Sequence, residues 1–195
     1  GIYALDGYSG TEANAIKIVP PGSAGGVEFD PNPPTNYVMM AHTHNSPANS
    51  TYSIFSWDDL TAISTLLQNN QIKTNEFVFY AITADGTRFA MTINDKEKFI
   101  NKIFSGSKIK GITVPLEKLQ KRGKIEFDYY SNAFGNIPLI KENSNSDDDK
   151  LNFLKMMKEN DLGLDLFEVD ATFTNFDKLS LSNDNTTAIP TPCNN

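Results

Sequence analysis

An α/β domain on a mixed sheet, followed by a C-terminal extension, is the fold this sequence predicts, and three observations carry it. Apolar runs of strand length alternate with amphipathic stretches of helical period. One run, Tyr37-Val38-Met39-Met40-Ala41, is apolar throughout, as expected of a strand buried on both faces. Clusters of Gly, Pro, Asn and Ser punctuate the runs at the places where the chain must turn.

Taken in order, Ile2–Tyr8 and Ala15–Val19 read as short strands with a Gly/Asp/Ser turn between them. Residues from Pro20 to Pro34 form a Pro- and Gly-rich loop with Glu28 in the short Val27-Glu28-Phe29 segment. The apolar strand Tyr37–Ala41 then runs straight into His42-Thr43-His44, and Asn45–Phe55 is polar and irregular. Ser56 is a good N-cap for a helix whose stripe is Leu60, Ile63, Leu66 and Leu67, and Asn69-Asn70 ends it. Glu76–Thr83 and Thr87–Ile93 form a hairpin around Ala84-Asp85-Gly86. Asp95 caps a short helix through Phe104, and the α/β domain closes near Ser105.

Residues 106–195 read as an α+β extension. Leu116–Phe134 is partly helical but interrupted at Gly123, and its aromatic stretch Phe127–Phe134 is expected to pack rather than bind. Asn143–Asp149 is expected as a polar linker, and its run Asp147-Asp148-Asp149 as a solvated loop or helix start. Lys150–Glu159 is a helix with Leu151, Leu154 and Met157 at core spacing. Leu164–Val169 and Leu179–Leu181 are candidate strands ahead of a flexible tail.

Composition removes several function classes. With 195 residues, 39% hydrophobic and 21% charged, the chain is an ordinary globular protein. The net charge of −7, with 17 scattered Lys and Arg, disfavours a nucleic-acid partner, which needs a clustered basic face. No apolar run is long enough for a membrane span. A single cysteine, Cys193, excludes an internal disulfide and a cysteine zinc cluster. The chain opens on Gly1-Ile2-Tyr3 with no initiator Met or signal peptide, so it is expected to be a fragment or processed form, and its localisation stays open. No G-x-S-x-G elbow supports a serine hydrolase, and Pro21–Gly26 lacks the Lys-Ser/Thr of a phosphate loop.

The chemistry concentrates at one strand end. The only two histidines, His42 and His44, stand two residues apart, so an extended backbone projects both from one face. Imidazole nitrogen is a favoured zinc ligand, and catalytic zinc takes three protein ligands and one open position. Asp59, in the first turn of the following helix, offers the third ligand. Taken alone, His-x-His is a weak signal, and Ser56-x-x-Asp59 is also an ordinary capping box. Together, in the order buried strand, His-x-His, loop, Ser-x-x-Asp, apolar helix, they point to a metal. Trp57 either touches substrate beside that metal or packs as core.

The same residues resemble the JAB/MPN (JAMM) metallopeptidases, whose motif is H-x-H, seven residues, then S-x-x-D, with a glutamate upstream. His42-Thr43-His44 and Phe55-Ser56-Trp57-Asp58-Asp59-Leu60 match its two halves, in phrasing closest to JAB-like domains of bacterial secreted and toxin-associated proteins. The resemblance is specific over 37–60 and extends plausibly over 1–105. It implies a cytidine-deaminase-like mixed sheet with flanking helices, zinc held by His42, His44 and Asp59, and Ser56 supporting the developing oxyanion. The implied activity is hydrolysis of peptide or isopeptide bonds through a metal-activated water, on cell-wall peptides, ubiquitin-like tails or other polypeptides. It also implies a bacterial, exported protein.

Three departures follow. The loop between His44 and Ser56 holds eleven residues instead of seven and is expected to bulge outward. Asn45 replaces the usual proline, and Asp58 beside Asp59 offers a competing carboxylate, although the motif register selects Asp59. The proton-transfer glutamate is expected just upstream of Gly1, with Glu28 and then Glu12 as in-chain substitutes. The alternative function is a catalytically silent JAMM-like interaction module.

Overall fold

Strand side chains alternate between faces, so strand register decides which of them share a buried layer. In the computed structural model, residues 1–7, 16–19, 29–30, 32–44, 51–83, 86–103, 108–109, 112–113, 116–132 and 135–193 are described, by backbone alone over 108–109, 112–113 and 116–122. The strands are β1 (Ile2–Leu5), β2 (Ile16–Ile18), β3 (Tyr37–His44), β4 (Val78–Thr83), β5 (Arg88–Ile93), β6 (Lys108–Ile109), β7 (Ile112–Thr113), β8 (Leu164–Val169), β9 (Phe176–Leu181) and β10 (Ala188–Pro192). The helices are α1 (Trp57–Gln68), α2 (Lys96–Lys102), α3 (Leu116–Tyr129) and α4 (Ser146–Asn160).

Eight strands make one mixed sheet in the order β10-β9-β8-β5-β4-β3-β1-β2, while β6 and β7 pair apart. Only β3 and β4 run parallel, and helix α1 lies in the connection between them. Parallel neighbours need such a crossover, because a tight turn can only reverse the chain. The register places Met40 beside Phe79, Phe79 beside Met91, and Met91 beside Leu166. These four are buried in one core with Leu60, Ile63 and Leu67 of α1, Phe99 of α2, and Phe153 and Leu154 of α4. The helices therefore cover that face. Val78, Tyr80 and Phe167, on the alternate positions, stay half-buried.

Helix α1 forms for local reasons as well as packing. Ser56 accepts from the Asp59 backbone N–H and Asp59 accepts from the Ser56 N–H, a complete capping box stabilising by about 1 kcal/mol. Leu60, Ile63 and Leu67 are wholly buried, each contributing roughly 1.5–3 kcal/mol. The expected hairpin strands pair antiparallel as β4 and β5, with Gly86 at φ 88°, while Ala84 and Asp85 of its turn lie outside the described residues. Gly163, at φ 65°, sits where an added Cβ would meet the Asp95 carbonyl oxygen at 2.5 Å; its own carbonyl accepts from Asn94 and Asp95.

The second half departs from the sequence expectation. Helix α3 runs through Gly123 without a break. Of the expected linker 143–149, Ser146–Asp149 open α4, and the run of three acids is the helix start rather than a solvated loop: Asn145 caps it, accepting from Asp147 N–H, and the acids occupy the positive helix end. The buried face of that helix carries Asp149, Phe153, Leu154 and Met156, with Leu151 only partly buried. The expected flexible tail contains β10, paired along its length with β9. Pro190 and Pro192 are tolerated there because an edge strand need not donate on its outer side. Strands β8–β10 continue the sheet through β5, so the stretch beyond residue 105 shares its core with the stretch before it.

Candidate metal centre

His42 and His44 close β3 on the same face as Met40, the side that the helices cover. The capped first turn of α1 sets Asp59 against them. This is the carboxyl end of a parallel strand, where α/β folds place their sites. His42 Nε2 lies 3.1 Å from Asp59 Oδ1 and His44 Nε2 3.1 Å from Asp59 Oδ2. The two Nε2 atoms are 2.6 Å apart. All three residues offer a ligand atom within 4.8 Å of the others, and among the described residues no other such group exists.

Each ligand is itself held. His44 Nδ1 is 2.9 Å from the Tyr52 carbonyl oxygen. A carbonyl only accepts, so Nδ1 carries the proton, and in the neutral ring Nε2 presents a lone pair to the cluster. Asp59 Oδ2 accepts from the Ser56 backbone N–H at 2.7 Å. His42 stacks on Phe79, ring centroids 5.1 Å apart, and its buried Nδ1 has no partner among the described residues.

The electrostatics of the cluster are coupled. Burial works against the Asp59 charge, but the His42 charge and hydrogen bonds from both imidazoles hold its carboxyl well below the ordinary range. Burial also works against protonating His44, yet the hydrogen bond and charge of Asp59 raise it above its ordinary value. With both rings neutral, the His44 Nε2 lone pair and the Asp59 carboxylate converge beside the His42 imidazole. Either a proton or a metal ion relieves that repulsion, so the donor set fits a metal.

Ser56 stands at the N-cap, its oxygen accepting from Asp59 N–H at 3.2 Å. The hydroxyl proton is not used in that bond. Asp58 is exposed and outside the cluster. Glu28 and Glu12 lie outside the described residues. Of the long loop, 45–50 lies outside them too, while Ser53, Ile54 and Phe55 are buried.

That inward packing rests on residues the sequence reading passed over. Asn143 N–H donates to the Thr51 carbonyl at 3.0 Å, Ser53 Oγ to Asp149 Oδ2 at 2.7 Å, and Tyr130 OH to the Phe55 carbonyl at 3.0 Å. Three bonds from the second half thus fix the segment whose Tyr52 carbonyl orients His44. A signal for Asp149 was present: it stands four and seven residues before Phe153 and Met156, on the buried stripe of α4. Nothing in the sequence marks Tyr52, which acts through its backbone.

Trp57 is 8% exposed, its ring 5.8 Å from that of Tyr130, and it both packs and lines a cleft beside Ser56. Among the described residues no helix is long and apolar enough to cross a membrane. A scan against protein-family models, and searches of curated proteins and of solved structures, find no match to this chain.

Proposed function

We propose that this chain is a zinc-dependent hydrolase of the JAMM type, cleaving peptide or isopeptide bonds. The observation that carries the reading is a set of three ligands, two imidazoles and one carboxylate, with no fourth among the described residues. Structural zinc sites are closed by four protein ligands, whereas catalytic sites stop at three and leave a position for substrate chemistry. When bound, the ion supplies a Lewis acid that polarises a scissile carbonyl and lowers the pKa of water to about 7.

The residues around it have separable tasks. His42, His44 and Asp59 hold the ion, and the Tyr52 carbonyl fixes the His44 tautomer that can do so. Ser56, anchored through its oxygen, keeps a hydroxyl proton to donate to an oxyanion. Glu28 is the in-chain candidate to carry the proton to the leaving amine. One observation favours the silent alternative: Asp59, the only carboxylate in the described cluster, is committed as a ligand.

Elemental analysis of the purified chain beside His44→Ala tests the reading. About one zinc per wild-type chain, absent in the variant, supports it, and peptide and isopeptide substrates then separate enzyme from inert relative. Because two histidines and a carboxylate also suit non-haem iron, iron in place of zinc would overturn the assignment, as would no metal after reconstitution.

A further inference from the structure

Beside the metal centre lies an open cleft of about 290 Å³, whose lining includes Tyr52, Ser56, Trp57, Asp58, Glu126 and Tyr130. It adjoins the centre through shared residues. The Tyr52 carbonyl meets His44, and Ser56 and Asp59 exchange hydrogen bonds across the helix cap. We propose that this cleft is a specificity subsite for a basic side chain, lysine or arginine, of a peptide substrate. The word substrate rests on the hydrolytic reading above; the binding does not.

Size comes first. At about 290 Å³ the cleft lies at the lower end of ligand-site volumes and has room for one long side chain. Its chemistry then selects the side chain. Two carboxylates, Asp58 and Glu126, line it, and no Lys, Arg or His does. No ion pair involving either acid is formed with a described basic residue. An anionic ligand is repelled, and an apolar one would leave carboxylates desolvated without a partner.

The aromatic rings supply the remainder. Tyr52 and Tyr130 pack edge to face with centroids 5.9 Å apart, and Trp57 leans on Tyr130. Trp57 and Tyr130 are buried and hold the half-buried Tyr52 ring in place, and along that ring a lysine or arginine lays its methylene stem while its charged head stays among the carboxylates and water. A metal is the wrong occupant, because Asp58 and Glu126 join no group of three ligating side chains among the described residues. The cleft is also built from both halves of the chain. Tyr52–Asp58 lead into α1, while Glu126 and Tyr130 come from the end of α3.

Trp57 is the only tryptophan in the chain, so its fluorescence reports directly on the cleft. The full chain is titrated at low salt with Nα-acetyl-lysinamide, Nα-acetyl-argininamide and the uncharged isostere Nα-acetyl-norleucinamide. The first two should give saturable changes at concentrations about tenfold below the third, the sum of one screened ion pair and one cation–π contact. Asp58→Asn with Glu126→Gln should remove that preference while circular dichroism stays native. Equal response to lysine and norleucine compounds, or an unchanged preference in the folded double variant, overturns the subsite. Repeating the titration after chelation separates the two readings. Preference retained in a chain that never takes up zinc leaves the subsite standing and sinks the hydrolase; zinc bound without preference does the reverse.

Discussion

Helices α1 and α4 begin alike, each with a polar cap followed by acids: Ser56-Trp57-Asp58-Asp59 in one, Asn145-Ser146-Asp147-Asp148-Asp149 in the other. In each, the last acid turns inward, Asp149 against Ser53 in residues 51–55 and Asp59 against His42 and His44, the second of which that segment orients. Their surroundings then set opposite electrostatics. Asp59 meets two imidazoles and a backbone N–H, and its carboxyl is held charged. Asp149 meets hydroxyl groups; burial pushes its carboxyl up, opposed by hydrogen bonds from Ser144 and Ser53. A helix N-terminus favours an acid in both cases. Only the partner across the gap makes one a candidate metal ligand and the other an anchor.

The largest effect should come from breaking the first of these. Asp59→Asn or His44→Ala removes a ligand outright, and zinc affinity by competition with a chelator should fall more than about hundredfold, beyond the range for outer-sphere contacts. Asp149→Ala, at the other helix, should leave all three ligands in place. It strands the buried Ser53 hydroxyl and should cost about 1–3 kcal/mol in urea unfolding. Its effect on zinc should be about tenfold, transmitted through Tyr52 to His44. Equal loss of zinc in Asp59→Asn and Asp149→Ala would erase the distinction between ligand and anchor.

Their pH dependences should run in opposite directions. Asp59, with a lowered folded pKa, contributes stability that is present above its unfolded value of about 3.9 and lost as pH falls through the folded one. Asp149, with a raised folded pKa, contributes most below about 3.9 and loses it as pH rises through the folded value. His44 behaves like Asp149: in the metal-free chain its contribution is full below about 6.5 and fades above. In the metal-free chain, unfolding free energies should therefore rise with pH from 3 to about 5 for wild type relative to Asp59→Asn, and fall as pH rises from about 3.9 relative to Asp149→Asn. Zinc competes with the proton on His44, so its apparent affinity should drop about tenfold per pH unit below that raised pKa.

How much of this was legible follows from the range of each interaction. The His42–His44 pair, the Asp59 register and the capping box are local, and alternation within a strand and hydrogen bonding within one helical turn suffice to read them. The α1 stripe and the hairpin at Gly86 are local too. Gly123 misled because the cost of a helical glycine, about 1 kcal/mol, is smaller than what burial of Ile125 and Tyr129 contributes on the same helix. The tail misled because Ala188–Pro192 is a strand only against β9, a pairing no single run of residues encodes. Asp149 and Tyr130 reach the loop beside the site from 96 and 75 residues away; periodicity marks Asp149 as buried but not what it faces, because such contacts join distant parts of the chain.

The smallest effect tests whether segment 51–55 acts as one body or through a single carbonyl. Tyr130→Phe keeps the ring against Tyr52 and Trp57 and deletes only the hydroxyl that donates to the Phe55 carbonyl. That carbonyl sits one residue before the Ser56 cap and three after the Tyr52 carbonyl that holds His44. Loss of one hydrogen bond should cost about 0.5–1.5 kcal/mol of stability. Zinc affinity should change less than about threefold, because neither the His44 tautomer nor the Asp59 cap depends on that bond. Ser53→Ala, which frees the residue next to Tyr52, should weaken zinc more than Tyr130→Phe at similar cost in stability. If the two variants lose zinc equally, the segment moves as a rigid unit, and the ordering of effects reflects its overall anchoring rather than the path from Asp149 through Tyr52 to His44.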